Sequence, residues 1–557
     1  MRERLLVTIL LTCAAASAGA AVLRVPADHA SIQAAVDAAL DGDEVVVAPG
    51  TYHEATNLLG KSITLRSEGG AAVTILDGSM LGTSIITATS GESLATVVRG
   101  FTFRNGTGRF VGACGIGGFL GGGIFVENGG ISVADSLFEN NEATDPATGE
   151  RGPGGGAAIF ACEADLAVSG SMFRNNGANF GGAIFYSADA RNLTVTGSRF
   201  VANRGIHGGA LLVQIDIDSR VTVTATHFEA NEGLHGSGIR LHAGSRSTVA
   251  ISGCSFRNGR SAFGGGANLT AGGRAEIEVS HCDFIGNEAG FGGGLFAAAF
   301  GNQPLSPTGG RISVTGSSFV ANVSRQFPGG GGVIDGCFRD GPPPDGGLYG
   351  GGADLRTISG GSITVTSSLF ARNSGESGGG VSAASCEGGE TRLVNCTIVD
   401  NEPFGAHFRI DVPDGLPNSP AGSMHVVNSI VRGNRGAEQI VIDLRHPEAA
   451  ATVTFSNVEG GMAGEGNIDL PVMFAGSTPC DYRLLPGSAG IDAGNNEALE
   501  EPGAGDLDGR PRFIDDPTVT DSGAGGAPVV DMGAYELQPP APAGGRRRAT
   551  RPERPCL

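Results

Sequence analysis

Two histidines occur in nearly the same phrase, once each. His207 lies in FVANRGIHGGALLV (200–213) and His235 in FEANEGLHGSGIRL (228–241), each followed by a glycine. Paired imidazoles can hold a divalent metal or carry protons near neutral pH. The same column elsewhere is aromatic. Counted seven residues past a recurring phenylalanine, it reads Phe180, His207, His235, Phe263 and Phe291. With no cysteine or carboxylate in the column, two histidines underspecify a metal site, so no metal is expected there. The column reads as a ladder of stacked rings, with an aromatic track for sugar rings as its functional reading.

Charged residues form two further sets. Four residues past the phenylalanine, Arg204, Glu232, Arg260 and Glu288 alternate in sign. One repeat apart, they predict a surface ladder of ion pairs, each worth under about 1 kcal/mol. The second set lies in insertions at 300–310, 336–361 and 408–423: Arg339, Asp340, Asp345, Tyr349, Asp354, Arg356, Arg409 and Asp411. Insertions at equal places in a stacked repeat share one edge, so these loops predict a wall of candidate ligand-binding residues. Repeats also lengthen loops cheaply, which needs no function. No residue is singled out as catalytic.

The elements that must position these residues follow from one repeat. S-x-F-x-x-N places Phe at 138, 173, 200, 228, 284, 319 and 370, each followed three residues later by Asn; Phe256 fits, but Asn258 comes one residue early. A Val-x-Val run precedes most of these phenylalanines, and a glycine run follows at Gly181, Gly208, Gly264, Gly292 and Gly378. Phenylalanine spacings of mostly 27–28 residues define a unit that cannot bury its own apolar face, so copies must stack. Three short runs per unit predict a three-sided coil of parallel strands, each residue about 4.8 Å above its equivalent. No run between glycines is long enough for a helical pair. The phenylalanines should fill the interior. The position two before each is small (Ser171, Ser198, Thr226, Cys254, Cys282) because little room remains, and Asn should bond to the Asn above it.

Ahead of the repeats, Ser31 reads as an N-cap, with Ile32, Ala35, Val36, Ala39 and Leu40 on one face of a helix over 31–41 and Gly42 as its stop. Such a helix would cover the open end of the solenoid. This helix with GDEVVVAPGTYHE resembles the start of secreted right-handed parallel β-helix proteins of the pectin-lyase-like superfamily. F-x-x-N with GGAIF (181–185) resembles the repeats of chlamydial polymorphic outer-membrane proteins. LLPGSAGIDAG (484–494) through VDMGAYE (530–536) is similar to the C-terminal element of bacterial surface β-helix proteins. The resemblance implies an all-β, single-stranded right-handed parallel β-helix over 21–479 and a C-terminal cap element over 480–538. It leaves activity open, because this fold hosts lyases, hydrolases, esterases and adhesins alike.

Composition narrows the setting. MRERLLVTILLTCAAASAGA has the form of a secretory signal over 1–20, so the mature protein is expected outside the cell or at its surface. A net charge of −20 argues against nucleic acid as a partner. No later segment is apolar enough to span a membrane as a helix, and the oligomeric state is not specified. The Pro/Arg-rich stretch 539–557 should be disordered. Oxidising export suits disulfides: Cys114–Cys162 and Cys337–Cys386 fall at matching places in the repeat, whereas Cys254 and Cys282 read as buried thiols. Asp506 and Asp508 in DLDG, with the acidic stretch to Asp521, are the one hint of calcium; a full loop with a terminal glutamate is absent, and no other cofactor is indicated. Lys61, the only lysine, sits in a strand-like GKSITLRSEG and makes a poor elimination base. Evenly decorated coils favour a surface or secreted binding protein, adhesin-like, with a polysaccharide or cell-surface glycan as ligand. A lyase or hydrolase acting on an acidic polysaccharide is the alternative.

Overall fold

A computed structural model describes residues 19–143, 154–301, 309–325, 350–375, 377–411, 419–476, 481–499 and 505–539. The described strands stack in register into three long parallel sheets of 15, 14 and 13 strands. Each turn of chain gives one strand to each sheet, and the chain is a right-handed parallel β-helix. Arg220–Thr224, His227–Glu229 and Ile239–Ala243 make one such coil. The first sheet holds the Val-x-Val runs, the second the phenylalanines, and the third the segments after the glycines.

The interior follows the sequence columns. Phe103, Phe138, Phe173, Phe200, Phe228, Phe256, Phe284, Phe319 and Phe370 form one continuous stack with ring centroids 4.5–5.0 Å apart. Ile398 and Val431 prolong it in register. Full burial of each ring contributes roughly 1.5–3 kcal/mol. Beside the stack runs the asparagine ladder. Asn176 donates from Nδ2 to Asn203 Oδ1 at 2.9 Å and to the Phe138 carbonyl at 3.0 Å, and Asn203 repeats the pattern to Asn231. The small column is more than a matter of space. Ser171 Oγ accepts the Ser136 amide at 3.2 Å and donates to the Ser169 carbonyl at 2.9 Å, so the hydroxyl serves neighbouring backbone. Cys254, Cys282 and Cys396 share this column as buried free thiols.

The glycine corner is set by sterics. Gly181 has φ of +62°, and a Cβ there would lie 2.1 Å from the Ile184 carbonyl; one on Gly182 would lie 2.0 Å from that of Gly209. Neither position admits a side chain.

The N-terminal helix spans Ile32–Ala38, with the Ser31 hydroxyl accepting the Ala34 amide at 3.1 Å. It buries Ile32, Ala35 and Val36. It is shorter than expected: the chain turns extended at Ala39, and Leu40 is 71% exposed rather than on the buried face. One element was not foreseen. Arg109–Ala113 pairs antiparallel with Ile116–Leu120, and this hairpin lies over the outward-facing Phe125, Phe160, Phe185 and Leu212 of the third sheet. The Cys114–Cys162 disulfide ties it down.

Among the described residues past 481 the chain is mostly irregular, with one strand at Ala489–Asp492. It lies along the outside of the second sheet: Tyr482, Leu507, Ala534 and Tyr535 pack with Ile285, Val320, Ala371 and Val399. Buried Arg512 donates to Ser367 Oγ at 3.0 Å and to the Ala534 carbonyl at 2.9 Å. Among the described residues, no helix is long and apolar enough to cross a membrane.

Candidate functional site

Strand alternation decides which third-sheet side chains point outward. In Ile239–Ala243, Ile239, Leu241 and Ala243 are buried within the coil, whereas Arg240 and His242 face out. The Arg240 column, read down the sheet in register, is Phe160, Phe185, Leu212, Arg240, Asn268, Phe296 and Asp354. The hairpin covers its apolar start. Arg240 and Asn268 interrupt the column with polar side chains before Phe296.

The predicted ring ladder borders this column. Centroid separations are 5.1 Å for Phe180–His207, 5.1 Å for His207–His235, 5.0 Å for His235–Phe263 and 4.9 Å for Phe263–Phe291. The rings are in parallel contact, as expected for a stack. What sequence reasoning missed is Arg240, which reaches the histidines: its guanidinium donates to His207 Nδ1. That contact requires neutral His207 with its hydrogen on Nε2. The electrostatics agree. Burial, then the Arg240 charge, lowers His207 to about 4. Burial, Arg240 and His207 together lower His235 to about 4. Burial lowers His242 as well, against the opposing pull of Asp216. Arg240 itself is lowered by burial, and no carboxylate among the described residues pairs with it. Scanning the columns could have revealed it: one arginine interrupts a run of Phe, Phe and Leu.

The predicted loop-wall residues fall in two groups. Arg339, Asp340, Asp345 and Tyr349 lie outside the described residues, as does Cys337; Cys386 is buried and disulfide-bonded. Asp354 and Arg356 are not on a loop but on the strand Ala353–Ile358, and Arg409 is on Ala406–Ile410 with Asp411 just beyond it. Asp354 and Arg356 are buried and joined by two bonds, Nε–Oδ1 at 2.6 Å and Nη2–Oδ2 at 3.0 Å. Residues two apart on a strand share a face, which explains the pairing. Arg356 also lies 5.9 Å from the centre of the Phe291 ring, so this pair adjoins the ring ladder. Arg409 contacts Asp411 at 2.6 Å, and Arg445 extends the group to Asp411 at 3.7 Å and Asp443 at 2.8 Å. Each of these arginines has a carboxylate partner. Arg240 differs in having no carboxylate partner among the described residues.

The alternating surface column is an ion-pair ladder as expected, with Arg204–Glu232 and Arg260–Glu288 both at 3.5 Å. On the first sheet, a shallow depression of about 330 Å³ is lined by Arg220, Thr222, Thr248, Glu276, Glu278 and Arg311. Three carboxylates, Asp492, Asp515 and Asp521, converge in the C-terminal segment.

The family described as a right handed beta helix region matches residues 83–303. No curated protein matches the sequence. Among solved structures, the periplasmic alginate epimerase AlgG is similar at 9% identity, with 73% of this chain and 78% of that chain covered and a TM-score of 0.40. The catalytic domain of a GH87 α-1,3-glucanase in complex with nigerose is similar at 12% identity, covering 77% of this chain and 67% of that chain with a TM-score of 0.33. Pectate lyase Pel9A shares 12% identity over 93% of this chain and 97% of its own, with a TM-score of 0.28.

Proposed function

The chain is a right-handed parallel β-helix, the fold of the pectin-lyase-like superfamily, and from that premise we propose that it is an exported, surface-associated or secreted binding protein for an anionic polysaccharide. The ligand lies on the outer face of the third sheet, beside the ring ladder. One observation carries this reading: Arg240, a half-buried guanidinium without a carboxylate partner among the described residues, in a protein of net charge −20. A uronate carboxylate supplies the planar acceptor that a guanidinium fork matches. The neighbouring rings offer flat apolar surface to sugar faces, and Asn268 stands one rung away to accept or donate to hydroxyls.

Binding is favoured over turnover because the lone pair of His207 is already engaged by Arg240. The second reading is a lyase or hydrolase acting on an acidic polysaccharide. In an elimination, Arg240 would neutralise the substrate carboxylate and His235, neutral at pH 7, would remove the adjacent carbon-bound proton while the glycosidic C–O bond β to the carboxylate breaks and its oxygen leaves with a proton from water. Both readings meet one experiment. The mature protein is applied to immobilised polyuronate and neutral glucan while reducing ends and unsaturated products are followed. Retention on polyuronate, weakened about tenfold or more in Arg240→Gln with no product formed, supports binding. Product formation lost in His235→Gln would replace it with the lyase reading. Equal retention of Arg240→Gln and the wild type would remove Arg240 from the site.

A further inference from the structure

Most carboxylates of the C-terminal segment are already engaged by the chain. Asp506 Oδ1 accepts the amides of Asp508 at 2.9 Å and Arg510 at 2.8 Å, and its Oδ2 accepts that of Glu536 at 3.2 Å. Asp508 is paired with Arg483 at 2.7 Å. The DLDG pair that hints at calcium in the sequence is therefore occupied with holding its own turn.

Asp492, Asp515 and Asp521 are different. One carboxylate oxygen from each lies within 4.8 Å of the others. Asp515 and Asp521 are exposed, but Asp492, at the end of the strand Ala489–Asp492, is 0% exposed. Its Oδ2 accepts the Asp516 amide at 3.2 Å, while its Oδ1 is buried without a hydrogen-bond partner. A buried carboxylate with one oxygen lacking a donor and two further carboxylates within reach is unfavourable unless a cation joins them.

We propose that Asp492, Asp515 and Asp521 bind one calcium ion. The three donors are all hard oxygens, one from the end of a strand and two from irregular chain, and the two exposed aspartates leave room for water. That suits the large, flexible shell of calcium better than the strict octahedron of magnesium or the nitrogen and sulfur preference of zinc. The ion would tie the 515–521 loop to the Ala489–Asp492 strand. The surrounding segment is hydrogen-bonded to the solenoid, with Asn395 Nδ2 donating to the Asp531 carbonyl at 2.8 Å and Asn428 Nδ2 to that of Asn495 at 2.9 Å. Calcium thus acts as a latch for the C-terminal segment on the coils. The polysaccharide reading is independent of it.

The test uses the mature full-length protein, stripped with EDTA and desalted, then titrated with CaCl₂ or MgCl₂ by calorimetry and thermal unfolding. One ion per chain and a rise of several degrees in Tm with calcium, smaller with magnesium, are expected. Asp515→Asn/Asp521→Asn should abolish heat and shift alike while leaving the metal-free Tm within about 2 °C, because both side chains are exposed. Asp492→Asn should raise the metal-free Tm, since a buried charge is removed, and should also abolish the calcium response. No heat and no shift up to about 10 mM calcium, or a shift retained in Asp515→Asn/Asp521→Asn, would overturn the site. Equal stabilisation by magnesium would overturn its assignment to calcium.

Discussion

Asn203→Leu should lower the stability of the solenoid by about 4 kcal/mol, as the sum of several buried groups losing partners at about 1–3 kcal/mol each. Asn203 Oδ1 accepts both the backbone amide and Nδ2 of Asn176, at 3.0 and 2.9 Å. Its Nδ2 donates to the Phe173 carbonyl and to Asn231 Oδ1, both at 3.0 Å. Leucine restores apolar volume but strands the Asn176 donors where water cannot reach. Asn258 is the matched control: it is exposed, has φ of +54°, and lies off the ladder. Asn258→Gly should change stability by less than about 0.5 kcal/mol, because glycine suits that backbone. Urea midpoints from far-ultraviolet circular dichroism check both. Equal midpoint losses in the two variants would mean that the ladder's hydrogen bonds do not hold the coils together.

Asn258 also shows how far the sequence can be read. Its early placement signals a fault in the repeat, but not how the fault is absorbed. At the ladder position stands Gly259, whose amide still donates to Asn287 Oδ1 at 2.9 Å. A Cβ on Gly259 would lie 2.1 Å from Ser237 Oγ, so a hydroxyl from the preceding coil fills the space an asparagine would take. Ser237 itself interrupts a glycine run, in GSG where neighbouring coils read GG. Two departures separated in sequence compensate each other in space, and only the stacked register reveals the pair.

The same contrast governs the candidate site. Columns that repeat were legible: the phenylalanine stack, the histidines within the ring ladder and the Arg204–Glu232 pairing follow from counting residues along the chain. Features that occur once were not. The hairpin over Phe125 and Phe160 belongs to no repeat, and without it those outward phenylalanines look like surplus apolar residues. Asp354 and Arg356 follow the run Gly350–Gly352, and such a run precedes a third-sheet strand in the neighbouring coils, so the loop assignment for them gave way to that regularity. Asp492 meets Asp515 and Asp521 through irregular chain, where no period indicates proximity.

The ring ladder also predicts acid sensitivity. His207 and His235 are held near 4 in the folded protein, against about 6.5 for an unperturbed histidine in the unfolded chain. Between these values the unfolded state binds more protons, so stability is complete above about pH 6.5 and falls as pH drops towards 4. Allowing for partial exposure, the two together should account for roughly 2–4 kcal/mol over that interval. Other groups titrate in the same range. His242, His407 and His425 are lowered by burial and add to the loss. Glu536 and Asp492, raised by burial to about 7 and about 6, act oppositely and gain stability as pH falls. The informative quantity is therefore the difference between wild type and His207→Phe/His235→Phe, which extends the ladder with the ring that flanks it on both sides. The variant loses the acceptor for Arg240 and should be less stable throughout, because guanidinium stays charged over this range. Its stability should nevertheless fall less steeply between pH 6.5 and 4, measured by urea midpoints at several pH values. Parallel profiles would mean that these histidines take up protons in the folded ladder without cost, and that neither burial nor Arg240 holds them neutral.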